Sequence, residues 1–301
     1  MAAVNRALWK DEAGIAGVIR ENAVPTTVAD NEILVKVNAW AMNPADAILQ
    51  DAALPAIKYP LILGEDVAGT VEKVGSEATG KLKVGDRTEQ GAFQEYVILD
   101  YTLACKIPDS LSFADASVFP LCIATAAYGL FSKDYLGLLL LKINPTSTGK
   151  SIFICGGSSG VGSNAIQLSK AAGFEVITTC SAHNFDYVKR LGADKVFDYK
   201  DPSWGCIGVL QAAGDAAPSC EVATKSKHKL RVVASNPVPE GMAPADIEVK
   251  MIFAGGTAIY YETSPATFAG YLPEALAKGL YQVAPTPQIV PTKGWRRSRR
   301  R

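Results

Sequence analysis

The chain has 301 residues, of which 48% are hydrophobic and 20% are charged, and its formal net charge at pH 7 is zero. This composition is typical of a globular protein, and the balanced charge argues against the basic surface of a nucleic-acid or membrane-surface binder. The length allows two domains. No secretory signal opens the chain, and the longest apolar run, residues 136–141, is too short to span a bilayer. We therefore expect a cytoplasmic monomer or homodimer without nucleic-acid or membrane partners.

The metal-binding residue types are few and scattered. The two histidines, His183 and His228, have no metal-ligand spacing. No CxxC pair occurs, so the cysteines are expected to be reduced and mostly buried thiols. The six cysteines are Cys105, Cys122, Cys155, Cys180, Cys206 and Cys220. No metal site is predicted.

The first hundred residues are predicted to be rich in short strands. Residues 32–37, 67–74 and 91–99 have strand-like patterns and are separated by glycine turns. This spacing suggests a compact β barrel. A helix is predicted over residues 110–116, with Ser112 as its N-cap.

Residues 150–182, KSIFICGGSSGVGSNAIQLSKAAGFEVITTCSA, contain the most specific motif. A short apolar strand leads into a glycine-rich turn, a helix with an apolar face and a second, β-branched strand. This order is typical of a Rossmann dinucleotide-binding unit, in which glycines let the backbone approach a pyrophosphate at a helix N-terminus. The alternative is an α/β crossover that needs its glycines only for tight packing.

The end of the second strand bears on which dinucleotide is bound. NAD sites usually have an acidic residue there, whereas this strand ends in TTCS and Glu175 lies at its opposite end. Ser181, Lys189 on the next predicted helix (184–191) and Tyr199 on the third predicted strand (195–199) could bind a 2′-phosphate. We therefore expect NADP(H). Lys189 alone would be read as a solvated helix residue.

Several stretches resemble the medium-chain dehydrogenase/reductase superfamily. These are NPAD (43–46), GEDVAGTVEKVGS (64–76), KVGDR (83–87) and the GGSSGVG turn. GAFQEYVIL (91–99) and the run 181–199 are most similar to the zinc-free quinone-reductase and enoyl-reductase branch, especially fungal trans-acting enoyl reductases. The resemblance implies an α/β fold with a GroES-like β-barrel catalytic domain and a doubly wound parallel Rossmann sheet.

The resemblance also implies domain limits and residue roles. The catalytic domain would span 1–122 with a return at 268–290, the Rossmann domain 123–267, and a basic, disordered tail 291–301. Asp46 would line the cofactor side of the cleft, and Thr125 and Tyr128 would lie near the nicotinamide and substrate. The residues implied at the pyrophosphate are Gly157, Ser158, Ser159, Gly160 and Val161.

The chain departs from zinc-dependent members of the superfamily at their metal site. Asn43 stands where they have a cysteine and Glu65 where they have a histidine. Cys122 is near the position of a third ligand, but one thiol does not make a tetrahedral site. The chain also looks shortened between Arg87 and Gly91, between Asp201 and Gly208, and after Val290.

Two functions remain open from the sequence. The first is an NADPH-dependent oxidoreductase that transfers hydride to an activated C=C or C=O bond of an enoyl thioester, enone or quinone. Because the cofactor supplies the chemistry, no catalytic triad is needed. The second is a degenerate nucleotide-binding protein of the same fold, which the shortened segments favour.

Overall fold

The computed structural model describes residues 4–52, 58–89, 93–199, 209–211, 219–220, 223–224, 231–241, 243, 245–252 and 263–290. The tail 291–301 and two of the three shortened segments (around residue 90 and at 201–208) lie outside the described residues.

Antiparallel strands form the N-terminal half. One sheet has the order β2-β1-β4, built from β1 (Val4–Lys10), β2 (Val18–Ala23) and β4 (Leu61–Ile62). A second sheet has the order β6-β5-β3-β7. Its strands are β3 (Glu32–Ala41), β5 (Asp66–Val74), β6 (Arg87–Glu89) and β7 (Tyr96–Asp100).

Apolar residues that alternate along the strands of the second sheet form its hydrophobic core. Ile33 and Val35 of β3 pack with Val67 and Val71 of β5 and Val97 of β7, and all five are buried. The two sheets are joined where the amide of Leu8 donates to the Phe93 carbonyl oxygen at 2.9 Å. The β-rich half predicted from the sequence is therefore confirmed.

Three helices lie near the junction of the two halves. They are α1 (Pro44–Asp51), α2 (Phe113–Ala116) and α3 (Pro120–Phe131). Ser112 caps α2 as predicted, since its Oγ accepts from the Asp115 amide at 3.0 Å.

The helical stretch Phe113–Phe131 corrects one expectation from the sequence. It is apolar over 19 residues, so residues 136–141 are not the longest apolar stretch of the chain. By length and composition this stretch could cross a membrane, and it is the one such candidate in the described residues. About half of it (56%) is buried, and α3 supplies a large part of the main hydrophobic core. Core helices of globular proteins commonly have this composition.

A six-stranded parallel sheet forms the second half, with the order β10-β9-β8-β11-β12-β13. The strands are β8 (Ser151–Cys155), β9 (Glu175–Cys180), β10 (Lys195–Asp198), β11 (Val209–Gln211), β12 (Arg231–Ala234) and β13 (Glu248–Met251). This is the 3-2-1-4-5-6 order of a doubly wound dinucleotide-binding sheet, so the predicted Rossmann unit is confirmed.

The crossover helices follow the predicted pattern. Helix α4 (Gly160–Ala171) joins β8 to β9, and α5 (Phe185–Arg190) joins β9 to β10. Both end at a glycine with positive φ, Gly173 at 86° and Gly192 at 110°. Glycine adopts this conformation without a Cβ penalty, which explains why both helices stop there.

The C-terminal part of the chain contacts both halves. A π-helical turn (Pro265–Tyr271) packs against Tyr101–Leu103 and continues into α6 (Leu272–Ala277). Residues 281–284 then lie along α4, where Asn164 Nδ2 donates to the Ala284 carbonyl oxygen at 3.0 Å. The Tyr281 hydroxyl donates to Asn164 Oδ1 at 2.6 Å. Helix α3 runs continuously through the predicted domain limit at residue 122, and the division into domains stays a prediction.

Candidate active site

The glycine turn lies between the carboxyl end of β8 and the start of α4. Gly156 has φ +77°, and a Cβ on Gly162 would lie 2.2 Å from the Gly156 carbonyl oxygen. Gly157 is equally constrained, because its Cβ would lie 2.1 Å from Thr178 Oγ1. These glycines are therefore required for the turn to pack closely against β9 and α4.

The start of α4 leaves backbone amides available to a ligand. The first amides of a helix have no intrahelical acceptor. Ser159 Oγ accepts from the Gly162 amide at 3.1 Å and donates to the Gly156 carbonyl oxygen at 2.8 Å. Among the described residues, no acceptor pairs with the amides of Gly160 and Val161. Ser159 is predicted to lie at the pyrophosphate, and in the structure its side chain caps α4.

The parallel register brings two of the predicted phosphate-binding residues together. Cys180 of β9 is paired with Asp198 of β10, so Ser181 and Tyr199 follow at the same level on neighbouring strands. Neighbouring strands are about 4.8 Å apart. Ser181 is half-buried and Tyr199 is exposed. Both lie at the carboxyl edge of the sheet, beside the glycine turn.

Lys189 lies on α5, the helix that joins these two strands. Its side chain is exposed, and it forms no ion pair within the described part of the chain. It stands in the last turn of α5, which leads back to the amino end of β10, so its backbone lies away from the carboxyl edge at which Ser181 and Tyr199 lie.

Two acidic side chains lie near the ends of β9. Glu175 begins the strand, and Asp198 of β10 lies opposite its last residue, Cys180. Glu175, at the amino end, accepts from Ser151 Oγ and forms an ion pair with Lys195 Nζ at 2.9 Å. It is far from the cofactor edge, as the sequence indicated. Asp198 is different, because its charge lies close enough to Cys180 to raise the pKa of that thiol, together with burial, to about 11. The sequence analysis missed this acid because it sits on the third strand.

Helix α3 positions the two residues predicted to lie near the substrate. Cys122, in its first turn, lies against the glycine turn, since a Cβ on Gly160 would be 2.7 Å from Cys122 Sγ. Thr125 is half-buried one turn later. Tyr128 is 5% exposed, and its ring packs edge-on against Tyr135 with 5.1 Å between centroids. Thr125 therefore lies nearer the turn than Tyr128, whose surroundings are those of a core residue.

A buried hydrogen-bond network joins α1, β5 and α3. Asp66 is fully buried, and its two oxygens accept from Asn43 Nδ2 at 2.8 Å and from the Leu121 amide at 2.7 Å. Asp66 thereby caps the N-terminus of α3, where a negative charge is favourable. Burial raises the pKa of Asp66 to about 7, and the two donated hydrogen bonds oppose that rise.

Two further carboxyl groups extend this network. Asp46 is 9% exposed, and its Oδ2 accepts from the Asn43 amide at 2.6 Å while Oδ1 is buried without a partner in the described residues. Glu65 Oε2 is also buried and unpartnered there. Burial and the Asp46 charge raise the pKa of Glu65 to about 7. Burial, with the charges of Asp66 and Glu65, raises the pKa of Cys122 to about 12. We call Asp46, Glu65 and Asp66 the carboxyl cluster.

The carboxyl cluster was only partly visible in the sequence. Asp46 and Glu65 were noted, but Asp66 was not assigned a role. The signal that could have found it is an acid immediately before VAGTV, at the start of a strand that is otherwise apolar. The Tyr59 hydroxyl lies 3.4 Å from the carbonyl oxygens of Leu49 and Ala52 at the end of α1. No group of three His, Cys, Asp or Glu side chains in the described residues has a geometry suited to a metal ion.

Comparisons with known proteins agree with this architecture. The family described as the alcohol dehydrogenase GroES-like domain matches residues 29–109, and the family described as zinc-binding dehydrogenase matches residues 160–215. The chain is 42% identical to dehydrogenase azaJ of Aspergillus niger, over 91% of this chain and 88% of that protein. It is 36% identical to trans-enoyl reductase himH of Aspergillus japonicus, over 96% and 90% of the two chains.

A solved structure has the same fold. The quinone oxidoreductase of Pseudomonas syringae superposes with a TM-score of 0.67 and 25% identity, covering 92% of this chain and 90% of that one. The sequence relatives, the matched families and the shared fold lead to one assignment, and they support binding of a nicotinamide cofactor. The chain belongs to the medium-chain dehydrogenase/reductase superfamily of oxidoreductases and resembles its enoyl reductases.

Proposed function

We propose that the protein is an NADPH-dependent reductase that transfers hydride to the activated C=C or C=O bond of an enoyl thioester, enone or quinone. The choice of NADPH over NADH rests on one observation. The residues that follow β8, β9 and β10 form one edge at which the glycine turn, Ser181 and Tyr199 are neighbours, with no carboxylate on the residue that ends β9. A 2′-phosphate accepts hydrogen bonds from hydroxyl groups and is attracted by an ammonium such as Lys189.

The residues present fit a dinucleotide. The amides of Gly160 and Val161 and the positive end of the α4 dipole would bind the pyrophosphate, and Gly157 lets it approach the backbone. When bound, the cofactor supplies the hydride, and the protein holds and orients it. Asp198 opposes a 2′-phosphate at this edge, so the preference for NADPH would result from Ser181, Lys189 and Tyr199 outweighing one carboxylate.

The substrate class is supported by the relatives and by the groups near the turn. One relative is named a trans-enoyl reductase and one structural neighbour a quinone oxidoreductase. Hydride addition to such substrates leaves negative charge on an oxygen, which needs hydrogen-bond donors. The Thr125 hydroxyl is the better placed of the two predicted donors, because Tyr128 is packed in the core.

A non-catalytic nucleotide-binding protein is the second candidate. Its support is the length of the alignments. They span 309 positions with the azaJ dehydrogenase and 345 with dehydrogenase pigH of Monascus ruber, both more than the 301 residues of this chain. Each relative therefore has residues that this chain lacks, consistent with the shortened segments noted in the sequence.

Two measurements on the purified protein test the proposal. Fluorescence titration compares the affinities for NADPH and NADH, and absorbance follows NADPH oxidation with a crotonyl thioester, an enone and a quinone. We expect tighter NADPH binding and turnover with at least one acceptor. Equal affinities would contradict the cofactor assignment. NADPH binding without oxidation by any acceptor would favour the non-catalytic alternative.

A further inference from the structure

We propose that Glu65 is the acid that protonates the carbon product of hydride transfer, with Asp46 and the Asn43–Asp66 pair holding it in place. This inference rests on the reductase function proposed above. It is suggested by buried carboxyl oxygens that have no partner within the described residues, beside the turn where the cofactor is expected.

Two carboxyl oxygens of the carboxyl cluster have no hydrogen-bond partner in the described residues. Buried polar atoms nearly always have a hydrogen-bond partner, and the exceptions need an explanation. Glu65 Oε2 and Asp46 Oδ1 are both buried and have no partner in the described residues. The charge of Asp46 acts on Glu65, so the two groups are close together. Oxygens left unpaired by the protein are available to a substrate or to a proton shared between them.

The hydrogen bonds of the carboxyl cluster indicate which carboxyl group holds the proton. Asp66 accepts two hydrogen bonds and lies at the N-terminus of α3, and both features favour its ionised form. Glu65 receives no such stabilisation at Oε2. Burial and the charge of Asp46 raise the pKa of Glu65 to about 7, and burial raises the pKa of Asp66 to about 7 as well. Because the two donated hydrogen bonds favour the ionised form of Asp66 alone, we assign the proton to Glu65.

The carboxyl cluster lies close to the glycine turn. Glu65 and Asp66 both act on the Cys122 thiol, and Cys122 Sγ lies against Gly160 of the glycine turn. The carboxyl cluster thus borders the turn on the side of the N-terminal half. Glu65 is half-buried, so part of its side chain is exposed. The titratable groups that face it from α1, β5 and α3 are Asp46, Asp66 and Cys122, and none of them is a cation.

The chemistry balances with one acid group. Hydride adds to the β-carbon of the enoyl thioester, and the C=C electron pair moves to form an enolate. The Glu65 O–H bond then breaks as a C–H bond forms at the α-carbon, and water reprotonates the carboxylate. Protonation of carbon is slow and requires a positioned acid, whereas the oxygens of a reduced quinone can take protons from water. Glu65 should therefore matter for enoyl substrates and much less for quinones.

The test compares wild type with Glu65→Gln, which keeps the shape but has no acidic proton. Glu72→Gln is the matched control, because Glu72 is exposed on the neighbouring strand β5. We expect Glu65→Gln to lower kcat for a crotonyl thioester by about 10²–10⁴. NADPH affinity and quinone reduction should stay within about threefold, a difference under 1 kcal/mol. The wild-type enoyl rate should fall as the pH rises above about 7, and this decrease should be absent in Glu65→Gln.

Glu65→Gln with the wild-type enoyl rate and pH profile would overturn the role of Glu65, as would an equal loss in Glu72→Gln. If Glu65→Gln does not fold, Glu65→Asp keeps an acid. It should retain the pH dependence but deliver solvent deuterium to the α-carbon more slowly, and a wild-type rate of delivery would overturn the proposal. A wild-type protein that binds NADPH but reduces no acceptor would instead overturn the proposed function itself.

Discussion

The Nδ2 group of Asn43 donates a hydrogen bond to Asp66 Oδ2 over 2.8 Å, which joins the start of α1 to the first residue of β5. Asp66 is fully buried, and its other oxygen holds the N-terminus of α3. A single carboxylate thus connects the helix that borders the glycine turn to the antiparallel half. Asn43 stands where zinc-dependent members of the superfamily have a cysteine ligand, and here its side chain makes an intramolecular hydrogen bond instead.

Removing this donor should destabilise the fold. Asn43→Ala leaves a buried carboxylate oxygen unpaired, so we expect the free energy of unfolding to fall by about 1–3 kcal/mol. Urea denaturation followed by circular dichroism measures this. Asn38→Ala is the control, since the exposed Asn38 side chain accepts a hydrogen bond from Thr70 at the surface. The control should change stability by less than about 0.5 kcal/mol, and equal effects of the two substitutions would contradict the importance of the pair.

Stability should depend on pH through Glu65. Its pKa is raised from 4.5 to about 7 in the folded protein. Between these values the folded state binds more protons than the unfolded state, so the free energy of unfolding falls as the pH rises. The contribution of Glu65 is fully present below about pH 4.5 and is lost by about pH 7. Glu65→Gln should therefore gain about 2 kcal/mol over wild type between pH 5 and pH 8.

Denaturation curves at both pH values measure this change. Glu72→Gln, at an exposed position, should show the same difference from wild type at pH 5 and pH 8. A pH-independent difference for Glu65→Gln would mean that the Glu65 carboxyl group is not shifted upward in the folded protein.

Cofactor preference should depend on Lys189. Lys189→Ala should weaken NADPH binding by about 1–3 kcal/mol, the size of a charged hydrogen bond, with little effect on NADH. The control is Lys195→Ala. Lys195 begins β10, at the opposite end of the sheet, where it pairs with Glu175. Fluorescence titration with both cofactors is the measurement, and a similar loss for NADPH and NADH would show that Lys189 does not contact a 2′-phosphate.

The contact between Gly160 and Cys122 should be measurable as a coupling. A Cβ at residue 160 would lie 2.7 Å from Cys122 Sγ, so Gly160→Ala forces one of them to move and should destabilise the protein by about 1–3 kcal/mol. Cys122→Ala removes the sulfur and should restore part of that stability in the double variant. Thermal melting of the wild type, the two single variants and the double variant gives the coupling free energy between the two residues.

NADPH affinity gives a second measure from the same variants. The added methyl group would also stand where the pyrophosphate approaches the turn, so affinity should remain low in the double variant. Strictly additive stabilities would show that the two residues do not press against each other.

Zinc should be absent from the purified protein. Asn43 and Glu65 stand where related zinc enzymes have cysteine and histidine, and Asn43 is engaged with Asp66. Elemental analysis of protein purified without added metal is expected to give far less than one zinc per chain. Stoichiometric zinc, lost on Glu65→Gln, would contradict this expectation.

Much of the dinucleotide half was predictable because its signals are local. The strand, glycine turn and helix around residues 152–173 follow from apolar periodicity and from glycines at positions that other residues cannot occupy. The helix cap at Ser112 and the helix ends at Gly173 and Gly192 depend on neighbouring backbone groups only. The helix predicted over residues 184–191 agrees with α5 (Phe185–Arg190) to within one residue at each end.

What the sequence determined by itself was therefore the Rossmann unit and the position of its glycine turn. The tertiary structure decided the rest. Only the parallel register places Tyr199 beside Ser181 and brings Asp198 near Cys180. Only the packing of β5 against α1 and α3 buries Asp66 and leaves Glu65 with an unpaired oxygen. The reason is physical: pKa values and hydrogen bonds depend on burial and on partners distant in the chain, and local patterns do not encode either.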